Sequence, residues 1–218
     1  MNPKRLAAIL VFSLLLFPGK GLASIIYEQL PGPASNTLLI SSARDNFGST
    51  PGYRVADDFV LTADAVITDL HWWGQFSEQV TPGGKSFSFT FYDDNPLAPG
   101  PGAVLHVSGG SLTEQTVNTG PGPVVFYSSI LDSPFSATGG SRYWLSVFDG
   151  AADASWLWLI ANNPGNGSTQ ELNPGPAWFS VSADMAFQIT SEPVPEPASM
   201  LLLGSGLLGL IGYRRRSA

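Results

Sequence analysis

Apolar and polar residues alternate with a period of two through most of the chain. In Ser86-Phe87-Ser88-Phe89-Thr90-Phe91 three phenylalanines fall on one side and three small hydroxyl residues on the other, the pattern of a half-buried strand. Further β-rich runs occur at Val55–Leu61, Ala65–Phe76, Val104–Val107, Val124–Leu131, Tyr143–Phe148, Ser155–Ile160 and Ala186–Thr190. Clusters of turn formers separate them, among them Thr81-Pro-Gly-Gly84, Asp93-Asp-Asn-Pro96, Pro99-Gly-Pro-Gly102 and Asn162-Asn-Pro-Gly-Asn-Gly167. No helical period interrupts this pattern between residues 24 and 191. The spacing predicts an all-β fold, an antiparallel β-sandwich of jelly-roll type with about eight to eleven short strands. No internal repeat and no linker is visible before Ser191, so residues 24–191 are expected to form one ectodomain.

The two ends break the alternation. Lys4 and Arg5 precede a twelve-residue apolar run, Leu6–Phe17, which Pro18-Gly19 terminates. Gly21-Leu22-Ala23 then places small residues at the positions a signal peptidase reads, so residues 1–23 are expected to be a signal peptide cut between Ala23 and Ser24. Twelve residues of helix reach only ~18 Å of a ~30 Å hydrocarbon core, too short for a span. At the other end Pro195 and Pro197 flank Glu196 and hold the chain extended. The sixteen residues from Ala198 to Tyr213 carry no charge and reach ~24 Å as a helix, a short transmembrane anchor. Arg214, Arg215 and Arg216 follow and form a membrane stop signal on the cytoplasmic side. The basic n-region and the arginine tail agree on a topology with the body outside.

This ordered tail, residues 192–218, resembles the PEP-CTERM sorting signal of Gram-negative bacterial surface proteins. The resemblance implies that Pro195, Glu196 and Pro197 are recognised by an exosortase, a membrane-embedded cysteine transpeptidase, and that Arg214 to Arg216 retain the precursor. It also implies an exported, inner-membrane-anchored precursor, then display at the cell surface or in the extracellular matrix of an exopolysaccharide-producing, biofilm-forming bacterium. The body resembles a module of such proteins through Val55-Ala-Asp-Asp-Phe-Val-Leu61, Ile67-Thr-Asp-Leu-His-Trp-Trp-Gly74, Phe89-Thr-Phe-Tyr-Asp-Asp94 with Pro101-Gly102, and Tyr143-Trp-Leu-Ser146. That likeness implies a fold and no activity.

Charge narrows the partners. The whole chain carries −7, but between Ser24 and Ser191 four basic residues face fifteen acidic ones, a formal −11. So acidic a body repels phosphate backbones, and nucleic acid is excluded as a partner. Charged residues are 12% of the chain, about half the usual ~25%, which excludes a disordered or coiled-coil protein. Cysteine is absent, and with it disulfides, thiolate metal sites and cysteine nucleophiles.

Three kinds of residue remain as candidates for chemistry. Trp72-Trp73, Trp156-Leu-Trp158 and Trp178 offer faces on which a sugar ring can stack. Adjacent strand residues face opposite ways, which puts Trp72 with Leu70 and Trp73 with Asp69 and His71. Most of these rings are expected in the core, with Trp73 and Trp178 as the candidates for a carbohydrate-binding surface. Asp57-Asp58, Asp93-Asp94-Asn95 and Asp149 with Asp153 supply hard oxygens suited to structural calcium, with Asp93 and Asp94 first. Asp and Asn are also ordinary turn formers, and no firm metal site or cofactor is expected. For catalysis only His71 and His106 provide imidazoles, and no G-x-S-x-G or H-E-x-x-H spacing surrounds them. A glycan-cleaving enzyme needs two carboxylates at a set separation, and no pair stands out. The expectation is a non-enzymatic protein, with a carbohydrate-binding module as the alternative and a cryptic glycan-cleaving enzyme third.

Overall fold

Alternation this regular places every second side chain inward, and the inward sets here come from two different sheets. The computed structural model describes residues 23–31, 38–43, 52–77, 85–98, 100–118, 123–151, 154–162, 167–172 and 177–191, and holds strands but no helix among them. In chain order the first seven strands are β1 (Ser24–Gln29), β2 (Leu38–Ile40), β3 (Tyr53–Val60), β4 (Ala65–Phe76), β5 (Phe87–Asp94), β6 (Pro101–Ser108) and β7 (Gly110–Asn118). The rest are β8 (Pro123–Ala137), β9 (Arg142–Asp149), β10 (Trp156–Leu159), β11 (Ser168–Leu172), β12 (Phe179–Val181) and β13 (Phe187–Ser191). The expected signal peptide, transmembrane helix, Pro195-Glu196-Pro197 and Arg214 to Arg216 lie outside the described residues, apart from Ala23. Ala23 is exposed, and Ser24 opens β1 opposite Ser191 of β13.

All named strand pairs are antiparallel. In the seven-stranded sheet, β4 is the centre: one edge pairs β8, which pairs β7, and the other is shared by β13 and β10. In the six-stranded sheet the order is β12-β11-β3-β9-β5-β6. Both sheets feed one core. Ile67, Leu70 and Trp72 of β4 meet Phe89 and Phe91 of β5 and Leu145 and Val147 of β9. Trp72 stacks on Tyr127 at 5.5 Å between centroids and meets Phe89 edge-on at 5.1 Å. Burying each such side chain contributes roughly 1.5–3 kcal/mol. The core lies wholly within Ser24–Ser191, which forms one compact unit.

Two local features set where side chains point. Ile67 and Leu70 share the core although three residues apart, because the β4–β8 register slips between Ile67 and Asp69. Such a bulge returns the next residue to the same face. At Gly74, a Cβ would sit 2.6 Å from the Trp156 ring, so only glycine allows β10 to approach β4 here. The described residues hold thirteen strands, more than the eight to eleven expected. Those outside the predicted runs are β1, β2, β7, β11 and β12. β2 and β12 have three residues each, and β7 (Gly-Ser-Leu-Thr-Glu-Gln-Thr-Val-Asn) is too polar to alternate clearly.

Candidate functional site

The outer face of the six-stranded sheet is built from residues that alternate against the core set. Register aligns Asp58 of β3, Trp144 of β9, Tyr92 of β5 and Val104 of β6 in one row across four strands. The neighbouring row contains Ser146, Thr90 and Val107. Trp178 packs over Ala56, Tyr92 and Trp144, meeting the Tyr92 ring edge-on at 5.7 Å. Arg54, half-buried at the start of β3, lies with its guanidinium carbon 4.7 Å above the Phe148 ring, and its Nη1 donates to the Tyr92 hydroxyl at 3.2 Å. The Trp144 indole donates to Asp94 Oδ1 at 2.9 Å, and Arg142 Nε lies 3.5 Å from Asp58 Oδ2. Aromatic faces, a cation and hydroxyls therefore converge within one patch, in which Tyr92 and Trp144 are buried and Arg54 and Trp178 half-buried.

The two tryptophans singled out for carbohydrate binding part company. Trp178 is half-buried on this polar, aromatic face. Trp73 does face away from the main core, as its alternation with Trp72 requires, but it is only 9% exposed. It is enclosed in a second apolar cluster with Val124, Leu159, Ala161 and Ala186, and Phe126 lies 5.1 Å away. The expectation of a surface platform at Trp73 is corrected on that account: outward-facing is not the same as exposed when long-range neighbours supply an apolar cover. Trp72, Trp144, Trp156 and Trp158 are buried, as expected for most of the set.

The acidic residues serve local geometry. Asp93 Oδ1 accepts from the Asp94 amide (2.9 Å), Asp94 takes the Trp144 indole, and Asn95 Oδ1 accepts from the Leu97 amide (3.0 Å), closing the turn between β5 and β6. Asp149 Oδ1 accepts from the Ser86 amide at 2.9 Å. Asp153 lies outside the described residues, and among those described no three His, Asp or Glu side chains are placed to hold a metal ion. Asp57 points inward and is fully buried. Its carboxylate accepts from the Met185 amide at 2.7 Å and the Asp58 amide at 3.0 Å, and Gln29, with Nε2 turned toward it, donates at 2.9 Å. Burial nevertheless pushes Asp57 well above the ordinary carboxylate range, and the neighbouring Asp184 and Asp58 add to the rise. Beside it, burial raises the Tyr27 phenol to about 12.

Neither histidine is poised as a base. His71 is half-buried and stacks on Phe126 (5.6 Å, 8° between planes), and burial holds its imidazole below the ordinary histidine range. His106 Nε2 lies 3.2 Å from Ser133 Oγ, the spacing of a nucleophile and its base, but also 2.9 Å from the Ser133 carbonyl. A carbonyl only accepts, so Nε2 carries the proton and has no lone pair with which to take one from the hydroxyl. The pair instead ties β6 to β8.

Sequence reasoning missed Arg54, Tyr92, Trp144 and Ser146 as members of one patch. The alternation of Arg54, Ala56 and Asp58 against Val55, Asp57 and Phe59 was the available signal, because it sets Arg54 and Asp58 on one face, although it puts the charged Asp57 with the core set. Residues 25–190 match a domain of unknown function, DUF7901, and residues 193–216 match the PEP-CTERM protein-sorting motif. No curated protein and no solved structure matches the chain. The motif spans Pro195-Glu196-Pro197 and Arg214 to Arg216, and marks the chain for export and for recognition by exosortase processing machinery at the membrane. The chain thus belongs to the DUF7901 family and is a PEP-CTERM sorting domain-containing protein.

Proposed function

We propose that this is a non-enzymatic protein of the cell exterior that works within the exopolysaccharide layer. In this reading residues 1–23 direct export and are removed at Ala23–Ser24. Ala198–Tyr213 holds the precursor in the inner membrane, and Arg214 to Arg216 keep its end cytoplasmic. An exosortase then cuts near Pro195-Glu196-Pro197 and leaves the β-domain at the surface or in the matrix. The observation that carries the reading is the sorting-motif match over residues 193–216. Replacing Pro195, Glu196 and Pro197 by alanine in a host with the exosortase is expected to leave full-length precursor in the membrane. A shortened form appearing at the normal rate contradicts the sorting step. The processed wild-type form is expected to fractionate with exopolysaccharide and to be released when that polymer is stripped; retention on stripped cells contradicts the matrix role.

A second reading, sugar binding by the domain itself, is favoured by one observation. Trp178 stands half-buried over Tyr92 and Trp144, whose polar atoms bond Arg54 and Asp94.

A further inference from the structure

The first and last strands of the body are neighbours. β1 pairs antiparallel with β13, and the register sets Ser24 opposite Ser191, the residue that ends β13. Directly opposed residues of an antiparallel pair have Cα atoms ~4.5–5.5 Å apart. Side chains hold the two strands together further along. The Tyr27 ring of β1 lies 5.4 Å from Phe187 of β13 and 5.8 Å from Phe59 of β3, and Gln188 donates to Glu28 at 3.1 Å. Ala23 and Ser24 are both exposed. Two antiparallel neighbours whose ends meet in this way form a hairpin that lacks its loop.

The two processing steps proposed above act on the two sides of that gap. Removal of residues 1–23 frees the α-amine of Ser24. A cut within or beside Pro195-Glu196-Pro197 leaves three to six residues beyond Ser191, close to the two to five that hairpin loops commonly use. Extended at ~3.3 Å per residue, they reach ~10–20 Å, more than the distance to be bridged. A cysteine transpeptidase holds the new carbonyl end as a thioester until an amine takes it. An α-amine has a pKa of about 7.7–8.0, so a share of it is uncharged and nucleophilic near neutral pH. The fold keeps the Ser24 amine beside this acyl end on a short tether, at an effective concentration in the mM range.

We propose that the ectodomain is its own acceptor: the Ser24 α-amine attacks the exosortase thioester and closes the β-domain into a continuous ring. The proposal rests on the export and sorting reading above and goes beyond it by naming the nucleophile. In the first step the enzyme's sulfur attacks the peptide carbonyl at the cut, its proton passes to the departing nitrogen, and the membrane tail leaves. In the second the Ser24 nitrogen attacks the thioester carbonyl, a peptide bond replaces the carbon–sulfur bond, and the proton lost by nitrogen restores the thiol. One peptide bond breaks and one forms, so no oxidant, reductant or nucleotide is consumed. The new loop joins β13 to β1 and contains Pro193, a residue that favours turns. Neighbouring chain ends are the condition under which a fold tolerates being joined there.

The test is the intact mass of the processed domain, made from the full chain in a host with the exosortase. The wild-type product is expected to be lighter by one water than the linear chain from Ser24 to the cut, and to resist amino-terminal sequencing. Its digest should contain a peptide that runs from Glu192 through the cut directly into Ser24-Ile25-Ile26. Tyr27→Asp, which expels β1 from the core, should still be cut but give a linear product with a free Ser24 amine. A ring formed equally well in that variant overturns the role of the fold. A wild-type product of full linear mass with a free Ser24 amine overturns the inference, whether its carboxyl end is free or carries another amine, and leaves the sorting step standing. A wild-type chain that is never shortened overturns both, and these wild-type masses decide the matter even if the variant is degraded.

Discussion

On the outer face of the seven-stranded sheet, Trp73 and Phe126 pack 5.1 Å apart among Val124, Leu159 and Ala186, with His71 stacked on Phe126. On the outer face of the six-stranded sheet, Trp144 and Tyr92 pack beneath Trp178 beside Arg54, Asp58 and Asp94. Both faces carry aromatic residues at outward positions of regular strands. Their partners differ. Aromatic rings enclosed by aliphatic side chains have their surface satisfied from within the fold, and their effect is on stability. On the six-stranded face Tyr92 and Trp144 are buried too, and Trp178 is the half-buried ring, set over side chains that bond a guanidinium and a carboxylate. Aromatic content alone therefore does not locate a sugar site; the chemistry around the ring does.

The core beneath both faces sets the scale against which they are compared. Trp72 touches Tyr127, Phe87 and Phe89 from the other elements of the core, so Trp72→Ala is expected to cost about 3–5 kcal/mol in denaturant unfolding. Trp73→Ala, in the smaller cluster, should cost about 1–3 kcal/mol. Equal losses would mean that the outer cluster is as much a core as the inner one, and the contrast between the two faces would fade.

Next in size is Asp57, the inward-facing acid of β3. Its pKa is raised in the folded chain, so between the ordinary Asp value and the raised one the folded chain holds a proton that the unfolded chain has released. Stability is thus highest at the acidic end of that window and falls as pH rises through it. Asp57→Asn should flatten this slope in melts run across pH. Asp57→Ala, which leaves the Met185 amide without its acceptor, should lose about 1–3 kcal/mol. A slope of opposite sign in the wild type, removed by Asp57→Asn, would show that its three donors outweigh burial.

How much of this was legible in the sequence differs between the two faces. The alternation in Ser86–Phe91 and Ala65–Phe76 predicts strands that exist, β5 and β4, and the opposed directions of Trp72 and Trp73 are as expected. What alternation does not contain is the partner. Trp73 meets Val124, Leu159 and Ala186 from three other segments, and no local pattern announces that cover. Asp57-Asp58 reads as a pair of surface acids or calcium ligands, yet one side chain points into the core and the other reaches Arg142. Arg54 meets Tyr92 from thirty-eight residues away, a contact created only by the β3–β9–β5 order.

The smallest expected effect belongs to His71. Its pKa is lowered by burial, so the unfolded chain binds a proton more readily than the folded one just below the ordinary histidine value. Its contribution is complete above that value and is lost as pH falls through the window beneath it. His71→Gln should remove this small acid sensitivity, and a His71 NMR titration midpoint at or above the ordinary value would contradict the apolar character of the seven-stranded face.

The most direct test of the contrast between the faces is to measure thermal stability and exopolysaccharide binding together in Trp73→Ala and Trp178→Ala. The account predicts a crossing: Trp73→Ala lowers the melting temperature and, below that temperature, binds as the wild type does. Trp178→Ala melts close to the wild type and loses binding. If Trp73→Ala loses binding while Trp178→Ala retains it, the recognition surface is on the wrong sheet and the account fails.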